Sequence, residues 1–187
     1  MHAVVSVDGF IADPNDEVGP LFDWYFNGGS EIVDGGPFKV SEASLGYVRP
    51  MWERIGVTLI GRRLFDLTNG WEGKAPAGDH MVVVTHRPRP DGWHPEASCQ
   101  FFDDVAAAVA TAKDLAGDRD VAVAAGEVGG QALALGLIDE VAMDVVPVVF
   151  GSGKRYFGSL DAQQLLDDPD VVIQGERVLH LKYRVRR

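Results

Sequence analysis

Apolar residues fall into short β-branched runs separated by stretches of mixed character. Ala3 to Val7 is such a run, stopped by Asp8-Gly9, and predicts a buried strand opening into a loop. Val57 to Ile60, Met81 to Thr85, a short strand ending at Phe101-Phe102, Val121 to Ala125 and the long β-rich segment Glu140 to Phe150 predict further strands. Between them lie four helical stretches. One runs from about Ser41 to Arg54, bent or broken near Pro50; one is opened by Gly61-Arg62-Arg63 and reaches about Thr68. An Ala-rich helix with Asp103 as N-cap runs to Leu115, and a last one, opened by Gly126-Glu127-Val128-Gly129-Gly130, ends at Gly136 as its C′ glycine. Val171 to Ile173 and Val178 to Val185 flank Gly175 as in an antiparallel hairpin. Strands alternating with helices, then a terminal β segment, predict a mixed α/β sheet, mainly parallel at first, in a single domain over residues 1–187. Residues 13 to 40, rich in Gly and Pro around the aromatic cluster Phe22, Trp24, Tyr25 and Phe26, read as a long functional loop or lid.

Composition narrows the function. With 17 Lys plus Arg against 28 Asp plus Glu, the net charge of −11 disfavours nucleic acid and anionic membrane surfaces as partners. Cys99 is the only cysteine, so no intrachain disulfide forms, and neither CxxC nor HExxH spacing is present, so no metal site is expected. The N-terminus lacks a basic n-region, and the apolar runs are far shorter than a bilayer span; a cytoplasmic protein is expected.

Three strand ends pass directly into glycine or a basic residue: Ile60 into Gly61-Arg62-Arg63, Thr85 into His86-Arg87, and Ala125 into Gly126 to Gly130. In an open α/β sheet these ends share one edge, where helix N-termini offer free N–H groups to anions. Arginine concentrated there, in so acidic a chain, points to a phosphate-bearing ligand. Asp8 follows the first strand and could accept a hydrogen bond from an amino or amide group of a planar substrate, with Phe10 or Trp24 as a stacking wall. An Asp-Gly turn and a satellite core beneath the loop are the structural alternatives for these residues. The adjacent acids Asp139 and Glu140 point to opposite faces and form no acid/base pair. No nucleophile-elbow sequence and no Walker-type lysine loop is present, which disfavours hydrolases and NTPases.

Four segments carry a resemblance: Ser6-Val7-Asp8-Gly9-Phe10-Ile11-Ala12, Ile60-Gly61-Arg62-Arg63, Val83-Val84-Thr85-His86-Arg87, and Gly136 to Glu140 continuing through Pro147 to Gly153. In order and spacing they resemble the dihydrofolate-reductase-like family, in particular the branch containing the C-terminal reductase domain of the bifunctional riboflavin-biosynthesis deaminase/reductase. The resemblance implies a three-layer sheet with a C-terminal antiparallel hairpin, commonly a homodimer, and NADPH-dependent hydride transfer to a small planar heterocycle or another conjugated C=N or carbonyl group. It would set Ile11 and Ala12 against the nicotinamide and give phosphate to Gly61, Arg62 and Arg63. Thr85, His86 and Arg87 would take the adenosine ribose and its 2′-phosphate, and Gly126, Glu127, Val128, Gly129 and Gly130 with Gln131 the pyrophosphate. Asp8, the candidate catalytic residue, would face the substrate with Trp24. Leu64 stands where folate reductases usually carry threonine, and no helix carboxylate aligns with the one that protonates dihydropterin, which argues against folate activity. Ala125-Gly126 resembles the position of a cis peptide in folate reductases. Two other readings use the same fold: a non-catalytic nucleotide-binding or sensing protein, and a 5-amino-6-(phosphoribosylamino)uracil reductase, whose phosphoribosyl pocket could draw on Lys154 and Arg155.

Overall fold

The computed structural model describes residues 1–187. The elements are, in chain order, β1 (His2–Ser6), β2 (Phe10–Ala12), a 3-10 helix (Gly19–Phe26), β3 (Ser30–Glu31), β4 (Lys39–Val40), α1 (Glu42–Arg54), β5 (Ile55–Gly61), α2 (Arg62–Thr68), a second 3-10 segment (Asn69–Gly73), β6 (His80–Val84), β7 (Cys99–Phe102), α3 (Val105–Ala116), β8 (Asp120–Val123), α4 (Glu127–Ala134), β9 (Glu140–Val146), β10 (Lys154–Arg155), β11 (Val171–Gly175) and β12 (Val178–Arg184). Two four-stranded sheets, ordered β7-β6-β5-β8 and β1-β9-β12-β11, meet at one parallel bridge between His2 and Ala124. The first is parallel throughout; in the second, β1 and β9 are parallel and β12 runs antiparallel to both β9 and β11. The expected mixed sheet with a C-terminal hairpin is therefore present.

Alternation along β1 divides the core between the two faces. Val5 joins the cluster under α3 and α4, with Val57, Leu59, Val82, Val109, Leu133 and Val141. Val4 joins the cluster under α1 and the first 3-10 helix, with Leu21, Trp24, Ile32, Val40 and Val48. A third cluster, with Ile60, Phe65, Met81 and Trp93, lies beneath α2. Helices thus cover both faces, giving three layers.

Several boundaries differ from expectation. Helix α1 runs unbroken through Pro50, which sits on its exposed side while Ser44 and Val48 hold the inner face. Ser41 caps it, its hydroxyl accepting the Ser44 amide. The cap of α3 is Asp104, not Asp103; its carboxylate accepts the Ala107 amide at 2.7 Å. Helix α4 ends in a Schellman motif, with Gly136 at φ 69° and Leu137 N–H on the Ala132 carbonyl at 2.9 Å. Strand β9 stops at Val146, ahead of Pro147. The segment expected as a structureless lid is largely packed: Leu21, Trp24, Tyr25, Ile32 and Val40 in it are buried.

One polar group is built into the interior. Asp144, 1% exposed, accepts from Nδ1 of His180 at 2.6 Å and pairs with Nε2 of His2 at 2.8 Å. Nε2 of His180 lies 2.9 Å from the Ser44 hydroxyl. This is the geometry of a Ser-His-Asp relay, yet Ser44 and His180 are 1% and 0% exposed, so it braces α1 against β9 and β12 and offers no nucleophile.

Candidate active site

The strand ends singled out from sequence do converge. A Cβ on Gly126 would lie 3.4 Å from Cδ1 of Ile11, and one on Gly61 would lie 3.0 Å from Cγ2 of Val128. The ends of β2, β5 and β8 are therefore in contact through positions that carry no side chain. Gly126 holds φ 95° and ψ −152°, a conformation open to glycine, and caps α4 without a side-chain hydrogen bond. Its peptide with Ala125 is trans, as is every peptide in the chain, unlike the cis peptide of folate reductases whose position it resembles. The Glu127, Val128 and Gly129 amides open the helix and have no carbonyl one turn earlier within it.

Beside this seam lies a cleft of 330 Å³ lined by Asp16, Arg63, Asp66, Leu67 and Arg87. Arg87 donates to Asp66, and Nε of Arg63 donates to Asp16 at 2.6 Å, with a second, Nη2 to Oδ2, contact in the same pair. Burial pushes the Asp66 carboxyl up, but hydrogen bonds from Arg62 and Arg87 outweigh it and hold the group below the usual carboxylate range. The Arg63 guanidinium does the same for Asp16. The Arg63 and Arg87 side chains are 64% and 61% exposed, so both retain donors facing solvent.

Other expected residues occupy different places. Arg62 is turned away from the cleft: its side chain is 16% exposed and donates to Asp66 at 2.7 Å and to the Pro88 carbonyl at 2.8 Å. It positions Asp66 and the β6–β7 loop instead of offering itself to phosphate. Buried Thr85 uses its hydroxyl to accept the Arg87 amide at 3.0 Å, fixing the turn that carries Arg87, while His86 is exposed. Gly129 and Gly130 are buried positions with no room for a side chain: a Cβ on Gly130 would lie 2.2 Å from the Phe157 carbonyl oxygen, and one on Gly129 2.7 Å from that of Ala124. Gln131 lies beyond the first turn of α4 and is exposed to solvent. Glu127 accepts the Ser159 hydroxyl at 2.6 Å.

Trp24 does not form a substrate wall. It is 1% exposed, stacks on Tyr25 and meets His180 edge-on, because the apolar side of its 3-10 helix packs on the sheet. Phe10, 8% exposed, is likewise core, with the Arg155 guanidinium 5.7 Å above its ring. Asp8 remains exposed. Its carboxylate accepts the Ser6 hydroxyl at 2.6 Å and the Phe150 and Gly151 amides at 3.1 and 2.7 Å, tying the end of β1 to the segment after β9. The Ser6 hydrogen bond leads the causes that lower its pKa, so at neutral pH the group is an ionised acceptor and holds no proton to donate.

The sequence matches the RibD C-terminal domain family over residues 1–181. The chain belongs to that family. It is thereby an oxidoreductase of the riboflavin-type reductases, which in general use a nicotinamide cofactor. Solved structures share the fold at low identity. A riboflavin-biosynthesis protein of Shewanella sp. PV-4 is 19% identical with a TM-score of 0.72, covering 100% of this chain and 97% of its own. A diaminohydroxyphosphoribosylaminopyrimidine deaminase/5-amino-6-(5-phosphoribosylamino)uracil reductase of Thermotoga maritima is 12% identical with a TM-score of 0.61 over 99% of this chain, which spans 55% of that longer protein. A pyrimidine reductase-like protein of Corynebacterium diphtheriae is 13% identical with a TM-score of 0.58, covering 100% of this chain and 90% of its own. No match to the chain was found among curated proteins.

The RibD-type cofactor fits the residues present. Gly61 and Gly126 carry no side chain where Val128 and Ile11 approach them, and the cleft that begins two residues beyond Gly61, at Arg63, holds two arginines with outward donors. A larger cleft of 860 Å³, lined by residues including His2, Tyr47, Met51, Val121 and Ile138, opens at the N-terminal edge of the strands. None of the candidate cofactor- or substrate-binding residues lines it, and its Arg54 and Lys182 are paired with Asp120 and Glu140. No helix is long and apolar enough to cross a membrane.

Sequence reasoning missed both acids of the smaller cleft. Asp66 had a readable signal, since it stands four residues after Arg62 in a predicted helix, the spacing of a same-face ion pair. Asp16 had none, because it reaches Arg63 across the sheet edge from a loop 47 residues away in sequence.

Proposed function

We propose that the protein is an NADPH-dependent reductase of a small, planar, pyrimidine-like heterocycle. The observation carrying this reading is that the segments leaving the glycine positions line one arginine cleft: Arg63 stands two residues beyond Gly61, and Asp16, its partner, four residues beyond Ala12, with Arg87 beside them. In this reading Arg63 and Arg87 hold the 2′-phosphate, and the first-turn amides of α4 face the pyrophosphate. Ile11 and Ala12 form the surface against which the nicotinamide lies. Ala12 is buried and pairs with Lys154 in the β2–β10 ladder, so this surface is rigid. A bound reduced nicotinamide supplies a hydride; the chain supplies orientation and exclusion of water. Asp8, fixed by three donors, orients the substrate by accepting from an amino or ring N–H group, and the proton that completes the reduction comes from elsewhere. Lys154 donates to the Pro14 carbonyl, and the Arg155 guanidinium lies 5.7 Å over the Phe10 ring.

Titration of wild type and the Arg63→Ala/Arg87→Ala double variant with NADPH and NADH tests the reading. The double variant is expected to lose about 10-fold or more in NADPH affinity and less than about 2-fold in NADH affinity. Equal losses for both cofactors would remove the 2′-phosphate assignment. Oxidation of NADPH by 5-aminouracil-type substrates separates a reductase from a protein that only binds nucleotide.

A further inference from the structure

The cation best placed for phosphate is already engaged. Arg63 meets Asp16 through both Nε and Nη2, the two-pronged approach by which a guanidinium also grips a phosphate. A loop built for the purpose presents that carboxylate. Directly after β2, the Asp13 side chain accepts the Asn15 and Glu17 amides at 2.7 and 2.9 Å, and the Asp13 amide donates to the Glu17 carbonyl at 2.9 Å. The closed turn holds Asp16 at φ 70°, a left-handed conformation unusual for a residue other than glycine. The Asp16 side chain is 11% exposed although its loop lies at the surface, with Lys154 Nζ 3.9 Å from one carboxylate oxygen and 3.1 Å from the Pro14 carbonyl. The cleft is therefore lined by two arginines and two aspartates, neutral in sum, and a dianionic group that takes the two-pronged Nε and Nη2 seat on Arg63 takes it from Asp16. Asp66 is held by both Arg62 and Arg87, whereas Asp16 is the sole acidic partner of Arg63.

We propose that Asp16 is an internal competitor for the phosphate seat at Arg63: a ligand with a 2′-phosphate must displace it, releasing the turn at residues 13–17, whereas a ligand without that phosphate leaves the pair closed. Asp16 is thus a specificity-determining residue that lowers affinity for the phosphorylated cofactor and couples its arrival to movement of the loop behind the nicotinamide surface. The inference rests on the proposed NADPH site.

Asp16→Asn is a clean probe, because asparagine tolerates the left-handed conformation and keeps the size of the side chain while removing its charge. Calorimetry on the whole chain uses 2′,5′-ADP and 5′-AMP as probes, and amide exchange follows residues 15–18. The variant is expected to bind 2′,5′-ADP about 5-fold more tightly and 5′-AMP within about 2-fold of wild type. Exchange at residues 15–18 rises in wild type on adding 2′,5′-ADP and is already raised in unliganded Asp16→Asn. In the Arg63→Ala background, Asp16→Asn changes nothing, as a double-mutant cycle requires. Wild-type binding of 2′,5′-ADP with unchanged or weaker binding by Asp16→Asn would overturn the competitor role and leave the cofactor reading intact. Absence of nucleotide binding by either protein would overturn both.

Discussion

Asp144 keeps a negative charge in the interior, and the consequence is a defined acid sensitivity. Burial pushes its carboxyl up, yet the charge of His2 and the hydrogen bonds of His180 and His2 outweigh this, leaving its pKa at about 2 against the usual 3.8. Since the folded value lies below the unfolded one, the stabilisation is complete above about pH 4 and is lost as the pH falls through about 2. Its size is about 2 kcal/mol. Asp144→Asn is expected to be less stable than wild type at pH 6, with the difference shrinking by about that amount toward pH 2. Urea unfolding of both proteins across pH 2–6 checks this, and a difference independent of pH would refute it. The grouping was hidden in the sequence because Ser44, Asp144 and His180 sit on three elements and no local spacing relates them. Gly175 was its one trace: a Cβ there would lie 2.1 Å from the Ser44 hydroxyl, so the hairpin glycine makes room for the hydrogen bond. The arginines of the candidate site, by contrast, were legible because strand ends are announced locally by apolar runs meeting glycine.

Two helical glycines show how far an element can be read without its neighbours. Gly46 in α1 and Gly130 in α4 are both interior helix positions, and propensity alone predicts a gain from alanine at each. At Gly46 a Cβ meets nothing within 4 Å, and Gly46→Ala is expected to stabilise the protein by about 0.5–1 kcal/mol, raising Tm by about 1–4 °C. At Gly130 the methyl would press on the backbone of Phe157, and Gly130→Ala is expected to cost about 2–3 kcal/mol, lowering Tm by about 5–10 °C. Thermal melts of the two single variants decide it; the same sign for both would mean that α4 does not pack on residues 156–158. The same dependence on context explains which elements were misread. Gly and Pro between residues 13 and 40 announced a loop, while Leu21, Trp24 and Tyr25, at the three- to four-residue spacing of a helical face, folded it onto the sheet. Pro50 announced a break, but burial of Val48 and the cap at Ser41 keep α1 whole.

At the scale of the molecule, the sheet is two halves joined at one bridge. Beyond the His2–Ala124 pairing, the seam adds an Ala125 N–H to His2 carbonyl bond of 3.4 Å, while the neighbouring Ala124 amide reaches Leu59 in β5 at 2.8 Å. Each half supplies part of the proposed site, Ile11 and Ala12 from the β1 side and Gly61, Arg63, Arg87 and Gly126 from the other. Strand order was not legible because the seam depends on packing from α3 and α4, whose core cluster spans both halves. A ligand bound across the seam clamps the halves together and, by linkage, stabilises only the folded chain. NADPH at 100 times its Kd should add about 2.7 kcal/mol and raise Tm by about 5–10 °C. The gain should come with slowed amide exchange at Ala125 and Gly126, at the seam, and little change at β7 or β11, the outer strands. A rise in Tm with no protection at residues 125–126 would place the nucleotide outside the seam.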